Sequence, residues 1–160
     1  MITYRYAEPH DIPAVLELVR ALAAYEHMED AVVATPDLYR EWLFEKQIAR
    51  VILAQDGERA VGFALFFYNF STWLGRGGIY LEDLFVLEEY RGQGIGKKLL
   101  KTLAGIAVSE GCGRLEWACL DWNAPSIAFY RAQGAVPMDE WTTYRLTGEA
   151  LTRFAADGEL

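Results

Sequence analysis

Residues 87 to 100 read LEEYRGQGIGKKLL, which places Gly92, Gly94 and Gly96 within five positions at the start of a basic, leucine-rich run. Three glycines cost chain entropy that a plain turn, which needs one, does not require. The stretch before them, GGIYLEDLFVLEE (77–89), is an apolar run that reads as a strand. The stretch after them, IGKKLLKTLAGIAVSEG, places Leu99, Leu100, Leu103, Ile106 and Ala107 on one helical face and ends at Gly111 and Gly113. A strand, a bare glycine loop and a helix in that order present backbone N–H groups and a helix dipole to an anion, most commonly a phosphate.

The remaining chain supplies the frame. ITYRY (2–6) alternates as a short strand, and Asp11 and Pro13 open a helix with Ile12, Val15, Leu16, Val19, Leu22 and Ala23 at helical spacing. YEHMEDAVVA reads as a loop, and Thr35-Pro36 is a cap and first-turn pair for a second short helix carrying Leu38, Trp42 and Leu43. ARVILAQ (49–55) and ERAVGFALFFYNF (58–70) flank Asp56-Gly57, a hairpin signal, so residues 49 to 89 form an antiparallel meander. RLEWACL (114–120) reads as a strand, APSIAFYRAQG (124–134) as a helix and EWTTYRL (140–146) as a last strand, before a tail helix around Leu151 and Phe154. The order β α α β β β α β α β describes one mixed α/β domain over residues 1–160, largely antiparallel before the glycines and βαβ-like across them.

Three phosphate loops compete for the motif. A nucleotide-triphosphate loop needs GxxxxGK followed by Ser or Thr; Gly92 to Gly96 is one residue short, and Lys98 follows Lys97. The dinucleotide fingerprint GxGxxG needs a small residue where Lys97 stands. Arg91-Gly92-Gln93-Gly94-Ile95-Gly96 instead resembles the [Q/R]xxGx[G/A] signature of the GCN5-related N-acetyltransferase (GNAT) superfamily. YLEDLFVLEEYRGQGIG, DWNAPSIAFYRAQGA (121–135), AAYEHMEDAV and NFSTWLGRGGIYLED extend the likeness over roughly residues 3 to 155, toward the spermidine/spermine (diamine) and thialysine N-acetyltransferase branch.

The resemblance implies the GNAT (acyl-CoA N-acyltransferase) fold, a mixed, mostly antiparallel sheet flanked by helices, with acetyl-CoA as the co-substrate. Leu84, Phe85 and Val86 would pair with the pantetheine arm, and Arg91, Gly92, Gln93, Gly94, Ile95, Gly96 and Lys97 would take the pyrophosphate. Asn123, Ser126 and Phe129 would lie along the cofactor's other side, next to Tyr130. Tyr130 corresponds to the family's general acid, and Glu82 to the carboxylate that draws a proton from the amine, through water. Glu26, Glu29 and Asp30 would collect a cationic acceptor, as the acidic loop does in the polyamine branch.

Elementary chemistry asks for the same parts. A primary amine with a pKa near ~10 is protonated at neutral pH and needs a carboxylate to attract it and relay its proton away. The departing thiolate needs a donor, and a tyrosine suits. Trp73 is expected to wall the alkyl chain of the acceptor. Each residue also has a plainer reading: Tyr130 as a helix aromatic in the core, Glu26, Glu29 and Asp30 as a solvated loop face, Trp73 as core. Glu82 and Asp83 are strand neighbours, so period-two alternation sends them to opposite faces and leaves one of them for the site.

Fifteen basic against 23 acidic residues give a net charge of −8, the wrong sign for a nucleic-acid binder; it serves solubility or matches a cationic acceptor. Cys112 and Cys119 lack metal-site spacing, and His10 and His27 stand alone, so no metal is expected. No apolar run approaches a membrane span, MITYRYAEPHD has no signal-peptide pattern, and a cytoplasmic location is the expectation. The expected function is acetyl transfer from acetyl-CoA to a primary amine of a small cationic acceptor, a diamine, polyamine or lysine-like amino acid, by direct attack in a ternary complex. Acetylation of a protein lysine or N-terminus, or a non-catalytic acyl-CoA sensor, are the alternatives. A homodimer is implied by the resemblance.

Overall fold

The computed structural model describes residues 1–160. Five strands form one sheet in the order β1-β2-β3-β4-β5: β1 (Ile2–Tyr6), β2 (Arg50–Asp56), β3 (Arg59–Ser71), β4 (Arg76–Val86) and β5 (Leu115–Trp117). The first four are antiparallel neighbours, and β5 runs parallel to β4. The parallel step is the crossover through α3 (Ile95–Ser109), as the motif order requires. Asp56-Gly57 turns the β2–β3 hairpin, with Gly57 at φ +61, a left-handed conformation that suits glycine.

Alternation along the strands feeds both faces. Leu53, Phe63 and Phe85 pack with Val15 and Leu18 of α1 (Ile12–Tyr25). On the opposite face lie Ile52, Ala64, Phe66, Ile79 and Leu81, all buried, and α3 lies there with buried Leu99 and Leu103. The Tyr68 hydroxyl donates to Glu110 at the end of α3 at 2.6 Å, marking that second face. At the chain start, Arg5 of β1 grips Asp11 through two parallel hydrogen bonds, Nη1 to Oδ2 at 2.7 Å and Nη2 to Oδ1 at 2.9 Å.

The chain divides into two compact units, Met1–Ala118 and Cys119–Leu160. The first holds the whole sheet, α1, α3 and the short α2 (Pro36–Tyr39), which is capped by Thr35 and continues as a π-turn over Arg40–Glu45. The second holds α4 (Ala124–Ala132) and the tail helix α5 (Gly148–Phe154).

Two expected strands differ from the structure. RLEWACL is a strand only over Leu115–Trp117. EWTTYRL (140–146) is irregular and exposed throughout, with no ladder partner. Its alternation is a local property, whereas a strand needs a neighbour to satisfy its backbone.

Candidate active site

The glycine loop is shaped by its backbone. Gly92 and Gly94 stand at φ +78 and +80, where a side chain is strained, and Gly94 is the N-cap of α3 without any side-chain cap. The first N–H groups of α3 are therefore bare of side-chain acceptors, as an anion site requires. Gly96 is different. A Cβ there would meet only Val86 Cγ2 at 3.7 Å, so the fold itself would accept alanine. Its bareness keeps the helix entrance open, and the cradle fits a pyrophosphate. Gly96→Glu is expected to fold normally and to raise the KM for acetyl-CoA at least about tenfold, measured by saturation kinetics and checked by thermal melting.

The loop is braced on both sides. Tyr90 donates to Asp56 at 2.9 Å, and Arg59 pairs with Glu89 at 2.7 Å, tying the loop to the β2–β3 turn. Arg91 donates from Nε to the Val86 carbonyl at 3.0 Å while its guanidinium lies 4.9 Å above the Tyr25 ring and 5.4 Å from Phe85. Arg91 thus holds the end of β4 against the end of α1. The sequence places Tyr25 at the start of the loop YEHMEDAVVA, and in the structure it is the last residue of α1.

Past Tyr25, α1 closes on a Schellman-type turn: Met28 N–H reaches the Ala23 carbonyl at 2.8 Å, and His27 adopts φ +58. Glu26 is the cap residue, and burial raises its carboxyl pKa. Glu29 and Asp30 follow in an exposed 3₁₀ turn.

Glu82 and Asp83 sit at a fault in the sheet. Leu65 pairs with Asp83 and the next residue, Phe66, pairs with Leu81, so Glu82 is an extra residue on β4. The expected alternation therefore fails here: a bulge breaks the period of two, so these two carboxylates are not forced to opposite faces. Glu82 is exposed and Asp83 half-buried. Burial pushes the Asp83 carboxyl up to about 6, and the charges of Glu82 and Glu26 add to the shift. Tyr39 of α2 is raised by burial first and then by the Asp83 charge, which sets a phenol near these carboxylates that sequence reading did not single out.

The Asp83 shift carries a stability consequence. Its folded pKa lies above that of a free carboxyl, so between pH ~4 and ~6 the unfolded chain binds fewer protons and stability falls as pH rises. The cost persists above that window. Asp83→Asn is expected to stabilise the protein by about 1–3 kcal/mol at pH 7.5 and by almost nothing near pH 4, read from paired thermal melts.

The other expected site residues are placed as follows. Leu84, Phe85 and Val86 end β4, and only Phe85 is buried. Trp73 is 92% exposed at the tip of the β3–β4 hairpin, nine positions and so, along the strand, roughly 20–30 Å in chain length from Glu82. In the second unit, Asn123 is buried and caps α4, accepting from the Ser126 N–H at 3.3 Å. Phe129 and Tyr130 are both half-buried, with ring centroids 5.5 Å apart, edge to face.

The family comparison decides what such a loop on such a sheet belongs to. The profile of the Acetyltransferase (GNAT) family matches residues 14–135, across the boundary between the two units. This chain is a GNAT acetyltransferase. The thialysine N-epsilon-acetyltransferase of Bos taurus is 39% identical to this acetyltransferase over 96% of the chain and 97% of its own length. The spermidine/spermine N(1)-acetyltransferase-like protein 1 of Homo sapiens is 33% identical over 94% of the chain, which spans 23% of that longer protein. Among solved structures, the integron cassette protein VCH_CASS6 from V. cholerae superimposes with a TM-score of 0.83 at 30% identity, over 96% of this acetyltransferase and 97% of that chain.

Proposed function

We propose that this acetyltransferase moves the acetyl group of acetyl-CoA to a primary amine of a small cationic acceptor, a diamine, a polyamine or a lysine-like amino acid. The observation that carries the reading is the carboxylate group at the β4 bulge, Glu82 and half-buried Asp83, within electrostatic reach of Glu26. Like charges gathered around a partly desolvated carboxyl favour a bound cation. The names of the thialysine and spermidine/spermine relatives support the same acceptor class.

Acetyl-CoA supplies the thioester and the thiolate leaving group. In this reading the α3 entrance and Lys97 bind the pyrophosphate, while the Leu84–Val86 edge orients the pantetheine arm. Asn123, Ser126 and Phe129 line the cofactor. Glu82 takes a proton from the acceptor ammonium through water, and the neutral nitrogen bonds to the acetyl carbon as the carbon–sulfur bond breaks. Tyr130 donates its phenolic proton to the departing sulfur, and the second proton of the attacking nitrogen, released through water as the amide forms, restores the phenol. Glu26, Glu29 and Asp30 contribute to acceptor recognition, whereas Trp73, at the far tip of the β3–β4 hairpin, is too distant from Glu82 to wall the same small acceptor within one subunit. Both compact units belong to one acetyltransferase domain in this proposal, supported by a family match that runs through both.

The test is acetylation of an amine panel, spermidine, putrescine, thialysine and a lysine peptide, followed by release of free coenzyme A. Turnover confined to the peptide would replace this reading with protein acetylation. Glu82→Gln is expected to reduce kcat most at lower pH, where the amine is hardest to deprotonate; a loss of equal size at every pH would assign Glu82 to binding alone.

We also propose a homodimer. Phe70, Trp73 and Leu74 expose apolar surface together at the β3–β4 tip, the kind of patch that marks an interface. Light scattering at micromolar concentration gives the mass directly. None of the helices is long and apolar enough to cross a membrane.

A further inference from the structure

The α1 face of the sheet carries an aromatic ring beside the acceptor carboxylates that none of the roles above uses. Phe85 is buried in the cluster formed against α1, and Leu65 packs on that cluster. Asp83 pairs with Leu65 and stands two residues before Phe85, where the pairing is regular again, so its side chain shares their face. Tyr39 reaches the same cluster from α2, four residues before Leu43, which packs there as well. The Tyr39 N–H donates to the Thr35 carbonyl at 3.1 Å, and Thr35 caps the helix, so the ring stands on a closed turn. Directly after it the backbone widens into the π-turn, a change of pitch common at functional sites.

The neighbouring rings already carry a cation of the chain. The Arg91 guanidinium covers Tyr25 and Phe85, and Lys46 Nζ lies 3.9 Å over the Trp42 ring of the π-turn. No Lys or Arg stacks on Tyr39. Its side chain is half-buried, packed on one side and open on the other. Burial first, and then the charge of Asp83, raises its phenol against a weaker effect of Arg20, which sets ring and carboxylate close together. An aromatic face attracts cations through its quadrupole, and the partly desolvated carboxylate next to it attracts the same cations.

We propose that the Tyr39 ring is a specificity-determining element of the acceptor site, lying against the acceptor's ammonium and adjoining methylene while Asp83 balances the charge. The ring does this without its hydroxyl, since phenylalanine carries a quadrupole of the same sign. The proposal rests on the small-amine reading above and adds to it a residue outside β4 and the acidic loop.

The experiment compares the wild-type chain with Tyr39→Leu and Tyr39→Phe in steady-state kinetics with acetyl-CoA. Putrescine, spermidine and thialysine serve as separate acceptors. Leucine keeps apolar packing but has no ring. Tyr39→Leu is expected to raise the KM of each amine that the wild type turns over at least about fivefold, with the KM for acetyl-CoA within about twofold. Tyr39→Phe is expected to return the amine KM to within about twofold of the wild-type value. An amine KM unmoved in Tyr39→Leu overturns the proposal while the small-amine reading stands. A rise of both KM values together also overturns it and makes Tyr39 a packing residue, which a lowered thermal midpoint would accompany. A Tyr39→Phe variant as impaired as Tyr39→Leu overturns it too, because the hydroxyl would then be the group that matters. Turnover of a lysine peptide and of none of the three amines removes both the proposal and the small-amine reading.

Discussion

Tyr130→Phe is expected to lower kcat by about 10²-fold or more while the dissociation constant for acetyl-CoA stays within about twofold of the wild-type value. The substitution removes one oxygen and keeps the ring, so the edge-to-face contact with Phe129 and the packing of a half-buried side chain in α4 persist. What is lost is a proton donor. An expelled thiolate is a poor leaving group without one, and a phenol, whose ordinary pKa lies above that of a thiol, can supply it. Single-turnover kinetics with saturating acetyl-CoA isolate the chemical step from product release. Wild-type turnover by this variant would exclude the phenol from the reaction and send the search to a water or to Tyr39.

Asp11→Ala is expected to destabilise the protein by about 2–4 kcal/mol, enough to lower the thermal midpoint by several degrees. Asp11 is a buried hub: Oδ2 accepts from Arg5 Nη1 and from the Glu8 N–H, both at 2.7 Å, and Oδ1 accepts from Arg5 Nη2. Arg5 also donates from Nε to Gln55 of β2 at 2.8 Å, so one carboxylate links the first strand, its neighbour and the start of α1. Alanine would leave a guanidinium and a backbone N–H without their acceptor. The hydrogen bonds from Arg5, larger than the opposing effect of burial, hold the Asp11 carboxyl below the usual carboxylate range. Its contribution is therefore complete above pH ~4 and is lost as the pH falls through the lowered value. The gap between wild type and variant should close in acid, which urea melts at several pH values would follow. A gap independent of pH would assign the loss to packing.

Much of the frame was legible in the sequence because its signals are local. The apolar spacing of Ile12, Val15 and Leu16 gave α1, and Asp56-Gly57 gave the hairpin. Gly92, Gly94 and Gly96 marked a loop whose geometry needs two of them and whose openness explains the third. The tail helix formed where Leu151 and Phe154 suggested. What escaped depends on partners distant in the chain. EWTTYRL alternates like a strand, but nothing in seven residues reveals whether a neighbouring strand is available. Arg91 and Tyr25 meet across 66 positions, and the Asn69–Glu116 contact spans 47. The extra residue in YLED is invisible to any count along β4 alone, since it exists only relative to Leu65 and Phe66 on β3.

That extra residue is one the pairing of the sheet does not need. Deleting Glu82 would set Leu81 and Asp83 side by side opposite Phe66 and Leu65, so every pair on either side of the bulge keeps its partner. Ile79 and Leu81 would stay on the α3 face and Phe85 on the α1 face. What would vanish is the bulge together with the carboxylate it carries. Chemistry is inserted here as a unit: one codon gained or lost adds or removes the carboxylate while the register of the strands, and so the core, is left as it was.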